Sequence, residues 1–156
     1  LGRCREAACS EAVGVASRRG RFDYAAVSAA GKYFVFAMAT EGIGYPDPSW
    51  AKNLATATAA GFKVTGYHFA RPDGNPTKPV EEADWFVSQL GLTAGMIVPA
   101  LDLERSGGMS PSTLQAWGGA WLGEVYRKTG GRPMISKSPA FCHPSLNNPS
   151  LVADDA

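Results

Sequence analysis

The sequence predicts an α/β fold, in which a parallel sheet is built from strands that alternate with helices. Residues 32–40, 63–70 and 95–104 form apolar segments that are too short for core helices and are typical of buried strands. Segments with helical spacing and clear start and stop signals separate them. The 156 residues include 18 Gly and 11 Pro, which suits a chain with many short turns. Periodicity alone leaves open whether the sheet is doubly wound or closed into a barrel.

The first half of the chain predicts two helices around one strand. Residues 22–31 are rich in Ala and end at a glycine, which indicates a short helix. The apolar and aromatic segment 32–40 follows as a strand. Residues 47–60 begin with Asp-Pro-Ser and end before Gly61, and their apolar side chains share one helical face. These signals predict the order helix, strand, helix.

The second half continues the alternation. The strand 63–70 leads into a loop at 71–79 that is rich in Pro, Gly and Asn. Residues 80–90 predict a helix with acidic residues in its first turn, where the helix dipole favours them. The strand 95–104 comes next.

The last predicted elements are one long helix and one strand. Ser110 and Pro111 open a helix that runs to about residue 128, with proline at its first position, and two glycines follow it. Residues 132–136 predict a fourth strand, whereas the tail 139–156 receives no assignment. No repeat or linker divides the chain, so residues 1–156 are expected to form a single domain, with 12–140 recognisable and 141–156 irregular.

Composition and charge exclude several classes of protein. Apolar residues make up 45% of the chain and charged residues 19%, which excludes a disordered segment. The formal net charge is +1, so no nucleic acid is expected as a partner. No apolar run approaches the roughly 20 residues that span a bilayer, so no membrane insertion is expected.

The cysteines and the amino-terminal residues say little about function. The three cysteines, Cys4, Cys9 and Cys142, cannot form a closed disulfide framework. A local Cys4–Cys9 bridge and free thiols both remain open. No cysteine pair has metal-ligand spacing with a histidine nearby, so no zinc or other metal site is expected. The first ten residues lack the apolar core of a signal peptide, although a processed start is compatible with them.

Polar side chains follow the predicted strands, where a parallel sheet gathers its functional groups. Asp102 and Glu104 are two residues apart on a strand and should therefore point to the same side. Two neighbouring carboxylates repel, and the more buried one should hold its proton to higher pH. Glycoside hydrolysis uses such a pair. The alternative is that both are solvated acids that open a loop.

Three further strand-end residues have both a functional and a structural interpretation. Glu41 is either a third acid in the same cleft or the partner of a surface cation. Tyr67 either packs on a sugar ring or belongs to the core. His68 is either a site residue or a hydrogen-bonded structural histidine. The tryptophans at helical spacing are interpreted as core residues: Trp85, Trp117 and Trp121.

The segments 34–42, 44–48, 66–71, 82–86 and 99–104 together resemble the glycoside hydrolase family 25 lysozymes in order and spacing, and 129–133 continues the match. The resemblance implies an irregular TIM-like (β/α) barrel and an N-acetylmuramidase that cleaves the β-1,4 bond between N-acetylmuramic acid and N-acetylglucosamine in peptidoglycan. It implies no cofactor, and a protein that acts extracellularly or on the cell wall.

The resemblance also implies roles for individual residues. Glu104 would be the general acid, and Asp102 would stabilise the oxocarbenium-like transition state directly or by orienting the N-acetyl group of the substrate. The expected substrate-binding residues are Glu41, Tyr67, His68 and Arg71.

Several positions depart from the family pattern. Gly14 stands where an acid is usual, Met38 where a lysine is usual, and Ser136 where a tyrosine is usual. The family also continues for some dozens of residues that this sequence does not contain, which leaves open a barrel that is incomplete at the C-terminus. Two functions are therefore compatible with the sequence. The protein is either a lysozyme or a catalytically impaired relative that binds peptidoglycan. An incomplete or partly mis-sequenced copy of an active enzyme is a third alternative.

Overall fold

The computed structural model describes residues 12–15, 23–91 and 98–136. Strands and helices alternate there as predicted, apart from two short strands, at 12–15 and 45–46, that were not predicted. The elements in chain order are β1 (Ala12–Val15), α1 (Tyr24–Ala29), β2 (Phe34–Glu41), β3 (Tyr45–Pro46), α2 (Trp50–Ala59), β4 (Lys63–Phe69), α3 (Pro79–Leu90), β5 (Ala100–Asp102), α4 (Pro111–Thr129) and β6 (Met134–Ser136).

The strands form one sheet with the order β1-β2-β4-β5-β6, in which all neighbours are parallel. The short strand β3 pairs with β2 in the antiparallel direction. Within the described residues, β1 pairs only with β2 and β6 pairs only with β5, so this sheet is open. The α/β class is confirmed, whereas the closed barrel that the resemblance implied is not seen in this part of the chain.

The helix ends carry the signals that the sequence indicated. The carboxylate of Asp23 accepts hydrogen bonds from the backbone N–H groups of Ala25 and Ala26 at the start of α1. The side chain of Ser110 caps α4 in the same way. Gly130, with φ of 72°, ends α4 in the left-handed region that favours glycine. Local hydrogen bonding therefore fixes where these two helices begin and where α4 stops.

The hydrophobic core lies between one face of the sheet and helices α2, α3 and α4; we call this side of the sheet the helix face. Trp117 and Trp121 are buried there, as predicted. Trp85 is only half-buried, so its assignment to the core was too strong. The largest fully buried apolar side chains are Trp121, Phe86, Leu90, Leu101, Leu103 and Leu114.

The third predicted strand is shorter than expected. Its ladder covers only Ala100–Asp102, and Glu104 lies beyond its end. Residues 92–97 lie outside the described residues, as do the three cysteines and the tail 139–156. Among the described helices, none is both long enough and apolar enough to cross a membrane.

Candidate active site

One register row crosses the carboxyl end of the sheet and brings together side chains from four strands. Glu41 on β2 pairs with Phe69 on β4, Phe69 pairs with Asp102 on β5, and Asp102 pairs with Ser136 on β6. Paired residues in a sheet point to the same face, and neighbouring strands lie about 4.8 Å apart. The row therefore places Glu41, Phe69 and Asp102 side by side. We call the face to which they point the Asp102 face.

A bulge in β2 gives Glu41 this orientation. The pairing of β2 with β4 shifts register between Met38 and Thr40, so that Ala39 is an extra residue. Val35 and Ala37 are fully buried in the core, and strict alternation from them would turn Glu41 toward the helix face. The extra residue reverses the alternation, so that Thr40 points toward the helix face and Glu41 toward the Asp102 face.

Alternation along β5 separates its apolar and acidic side chains. Leu101 and Leu103 are fully buried, and Leu103 contacts α4 close to Gly118. Asp102 therefore points to the opposite face, and the negative charge of Glu104, two residues further along the chain, acts on it. Asp102 is half-buried, and Glu104 is exposed at the end of the strand.

The environment of Asp102 favours its protonated form. Burial, together with the negative charge of Glu104, raises the pKa of Asp102 to about 7. Its Oδ1 atom is buried and accepts no hydrogen bond from the described residues, which leaves its charge uncompensated. The more buried carboxyl of the pair is therefore the one that keeps its proton toward neutral pH.

Arg71 connects Glu41 to the loop that follows β4. Its Nη1 atom donates to Oε1 of Glu41 at 2.6 Å, and its Nε and Nη2 atoms donate to the two carboxylate oxygens of Asp73 at 2.9 and 3.0 Å. These bonds raise the pKa of Arg71 and lower that of Asp73. Glu41 and Arg71, both predicted site residues, are thus brought together at the edge of the Asp102 face.

His68 lies on the other side of the sheet from Tyr67. The His68 ring is fully buried, stacks on Trp121 at a centroid distance of 5.4 Å and packs against Phe86. Successive residues of a strand point to opposite faces, so Tyr67 and His68 cannot both line one cleft. The structure corrects the expectation that His68 contacts the substrate, because no surface of its ring is exposed.

His68 instead belongs to a buried polar network. Its Nε2 atom lies 2.8 Å from Oε1 of Glu82 on α3, and its Nδ1 atom lies 2.7 Å from Oγ1 of Thr40. Glu82 also accepts a hydrogen bond from the backbone N–H of Arg71 at 2.8 Å and one from the Asn75 amide at 3.0 Å. Glu82 therefore ties the end of β4 and the start of the following loop to α3.

The positions that depart from the family pattern lie along the same strands. Met38 pairs with Tyr67, which is half-buried, and both point to the Asp102 face. Gly14 on β1 is exposed and pairs with Phe36. Ser136 is exposed at the β6 end of the register row. The three departures therefore lie within or along the sheet that carries the candidate site.

The family assignment follows from the sequence profile of the Glycosyl hydrolases family 25, which matches residues 13–155. The chain belongs to this family. An N,O-diacetylmuramidase of Chalaropsis sp is 32% identical over 139 residues, which is 81% of this chain and 65% of that protein. A second N,O-diacetylmuramidase, from Arthroderma benhamiae, is 32% identical over 135 residues, covering 81% of this chain and 56% of that protein.

Solved structures agree with the family 25 assignment. A muramidase from Acremonium alcalophilum superposes with a TM-score of 0.78 at 24% identity, covering 88% of this chain and 70% of that one. A family GH25 lysozyme from Aspergillus fumigatus has a TM-score of 0.76 at 27% identity, covering 85% and 67%. This family 25 chain spans less than two thirds of the length of the two muramidases that its sequence matches.

Several residues of this family 25 site were not singled out from the sequence. Phe69 was grouped with its neighbours, and strand alternation could have assigned it to the same side as Tyr67. Glu82 looked like an ordinary acid of a helix first turn, because only the packing of α3 shows that it is buried. Asp73 and Arg105 lie in loops, and only the fold brings them together. The described residues include no cluster of three or more His, Cys, Asp or Glu arranged to hold a metal.

Proposed function

We propose that this chain is a lysozyme that hydrolyses the β-1,4 bond between N-acetylmuramic acid and N-acetylglucosamine in peptidoglycan, with Asp102 and Glu104 as its catalytic carboxyl groups. Relatives and structural neighbours that bear the names muramidase and lysozyme support this substrate class. A further neighbour is the Cpl-1 endolysin complexed with a peptidoglycan analogue, at a TM-score of 0.70 and 18% identity, covering 90% of this chain and 39% of that one.

The observation that carries the proposal is the unequal environment of two neighbouring carboxyl groups, one at the end of β5 and one two residues beyond it. Glu104 is exposed, whereas Asp102 is half-buried with a pKa raised to about 7. Asp102 is therefore a carboxyl group that keeps its proton up to near-neutral pH. General acid catalysis of glycoside cleavage requires a carboxyl group that is still protonated at the working pH.

The exposure of the two groups supports different roles for them. Glu104 lies at the accessible end of the strand, where a carboxyl group can reach the glycosidic oxygen and protonate it as the bond breaks. Asp102 lies deeper on the same face and is suited to stabilise positive charge on the sugar ring, or to hydrogen-bond the N-acetyl group of the substrate.

The neighbouring residues extend the site toward the substrate. Tyr67 and Phe69 are half-buried on the Asp102 face and offer apolar surface to sugar rings. Arg71 and Glu41 supply polar groups beside them. A glycan strand bound here would lie outside the cell membrane, so we propose that the protein acts extracellularly or at the cell wall.

The test is digestion of purified peptidoglycan, followed by borohydride reduction and analysis of the reduced ends. A muramidase generates new muramitol, whereas cleavage of the other glycosidic bond generates glucosaminitol. The wild-type protein should release muramitol and Glu104→Gln should not. Glu81→Gln removes an exposed acid of α3 and should leave the release unchanged. Wild-type protein that sediments with peptidoglycan but releases no new reducing ends would overturn the proposal and leave a binding module.

A further inference from the structure

We propose that Arg105 forms a carboxylate-binding subsite beside Glu104, which takes an anionic group carried by the muramic acid of the substrate. That group is the lactyl carboxylate where the muramic acid carries no peptide, or a carboxylate of the peptide where one is attached, because the peptide is joined through the lactyl carboxyl group as an amide. The inference rests on the proposed function, because it names a part of the same substrate. Four observations on the described residues support it.

The first observation is the position of the Arg105 guanidinium. Its central carbon lies 5.9 Å from the centroid of the Phe69 ring. Phe69 stands between Glu41 and Asp102 in the register row. The positive charge therefore lies over the Asp102 face, on a residue that directly follows Glu104.

The second observation is that Asp73, the acid that Arg105 contacts, is already engaged by another arginine. Both carboxylate oxygens of Asp73 accept hydrogen bonds from Arg71, at 2.9 and 3.0 Å. Arg105 reaches one of these oxygens only at 3.5 Å, through Nη1. This is a long contact for a charged pair, so it holds Arg105 in place while leaving most of its hydrogen-bonding capacity unused.

The third observation is that the remaining donors of Arg105 face solvent. Its side chain is 51% exposed, and within the part of the chain that the structure describes it has no acceptor other than Asp73. A guanidinium carries five N–H groups in a planar fork that matches the two oxygens of a carboxylate. Arg105 is therefore available to a ligand, whereas Arg71 is held by both Glu41 and Asp73.

The fourth observation is the sign of the surrounding charges. Glu41, Asp73 and Glu104 are acidic, and the charge of Arg71 is engaged by the first two. A carboxylate on the substrate would be repelled by these acids as it approached. A cation with free donors at the mouth of the site offsets that repulsion, and Arg105 has this position.

The test compares binding to walls that differ only in their carboxylates. All variants carry Glu104→Gln, so that binding is measured without turnover, and the affinity is determined by co-sedimentation with purified peptidoglycan. Arg105→Ala is compared with Arg105→Lys and with the matched control Arg127→Ala. Arg127 is also exposed, but it pairs with Glu124 on α4. The same measurements are repeated on peptidoglycan whose carboxyl groups have been converted to amides.

Arg105→Ala should weaken binding to native peptidoglycan by about three- to tenfold, as expected for one partly exposed ion pair. The same substitution should leave the affinity for the amidated wall unchanged. The affinity of Arg105→Lys for native peptidoglycan should lie between those of Arg105→Ala and the Glu104→Gln parent, and the affinity of Arg127→Ala should equal that of the parent. Glycan strands stripped of peptide by an amidase distinguish the two sources. The amidase removes the peptide and frees the lactyl carboxylate, so an effect of Arg105→Ala that persists on these strands shows that the subsite takes the lactyl carboxylate, and a lost effect assigns the peptide.

The proposed subsite would be overturned if Arg105→Ala lost the same affinity for native and for amidated peptidoglycan. It would also be overturned if Arg127→Ala lost as much affinity as Arg105→Ala. The outcome is separable from that of the proposed function, since the affinity ratio is read without any hydrolysis. A protein that never cleaves peptidoglycan can still lose affinity for native but not for amidated peptidoglycan when Arg105 is replaced. An active lysozyme can show no such difference.

Discussion

The Nε2 atom of His68 lies 2.8 Å from Oε1 of Glu82, and both side chains are fully buried. Burial lowers the pKa of His68, and the hydrogen bond to Glu82 offsets this only in part. A neutral ring that donates from Nε2 to the carboxylate must accept at Nδ1, so the hydroxyl of Thr40 is the donor there. The buried pair thus orients side chains from β2, β4 and α3 at once.

Replacing Glu82 by Gln should destabilise the fold. The variant keeps the size of the side chain but replaces one carboxylate oxygen by an N–H₂ group. Either His68 and Arg71, which donate to Oε1, or Asn75, which donates to Oε2, therefore lose their acceptor. The expected loss is about 2–4 kcal/mol in the free energy of unfolding, measured by denaturant titration. The matched control Glu81→Gln changes an adjacent exposed acid and should cost less than about 0.5 kcal/mol. Equal losses would contradict the structural role of Glu82.

Replacing Asp102 by Asn should change how stability depends on pH. The pKa of Asp102 is about 7 in the folded protein, against 3.8 for an ordinary aspartate, so the folded state binds more protons between these values. Its contribution to stability is complete below about pH 4, is lost as the pH rises toward 7 and stays lost above it.

Asp102→Asn should therefore be more stable than the wild type at pH 8, by on the order of 2 kcal/mol after allowance for solvent screening. The difference should shrink toward pH 4, as thermal unfolding at a series of pH values will show. Glu104→Gln removes the second cause of the raised pKa and should weaken the pH dependence without abolishing it. A wild type whose stability does not fall between pH 4 and 7 would contradict the assigned environment of Asp102.

Hydrolysis should fall on the alkaline side as Asp102 loses its proton. Since the pKa of Asp102 is about 7, the rate should decline by about tenfold per pH unit well above that value. Glu104→Gln should lower kcat by about 10²- to 10⁴-fold, the usual contribution of a general acid. Initial rates of reducing-end release between pH 4 and 9 provide the measurement. An undiminished rate at pH 9 would remove the pair from acid catalysis.

Gly107 and Gly108 offer a matched pair for testing the loop beside the site. Both have positive φ, at 59° and 75°. A Cβ atom at Gly107 would lie 2.7 Å from the backbone nitrogen of Asp73, whereas one at Gly108 would meet nothing within 4 Å. Gly108→Ala should cost about 1 kcal/mol from backbone strain alone.

Gly107→Ala should cost more than Gly108→Ala in denaturant titration, because the backbone at Asp73 must move. The displaced Asp73 should also disturb its bonds to Arg71, so peptidoglycan binding should fall for Gly107→Ala and hold for Gly108→Ala. If the two variants had equal stability and equal affinity for peptidoglycan, the close contact between Gly107 and the backbone of Asp73 would be unimportant for the site.

Much of the fold was predictable because its signals are local. The capping aspartate before α1, the Ser-Pro start of α4 and the glycine after it are short-range features, and the predicted helix bounds came within a few residues. The strand β3 could not be predicted, because two residues carry no periodicity. Whether the sheet closes is a long-range property, because buried parallel strands have the same apolar sequence pattern in an open sheet and in a closed barrel.

The site was predictable where it depends on alternation within β5, which determines the face of Asp102, whereas the roles of Asp102 and Glu104 stay predictions. It was not predictable where packing decides, as for Glu82, an acid that the sequence gives no reason to expect in the core. The prediction that His68 lines the site was wrong for a reason that the sequence contains. Tyr67 points to the Asp102 face, and the next residue of a regular strand points to the other face. Arg105 comes close to Phe69 only through the fold.

The extra residue in β2 makes the strand tolerant of a deletion at one position. Deleting Ala39 would remove the bulge and leave Thr40 opposite His68 and Glu41 opposite Phe69, so both side chains would keep their faces. The acidic row and the histidine network are therefore expected to withstand a shortening of the strand at this position.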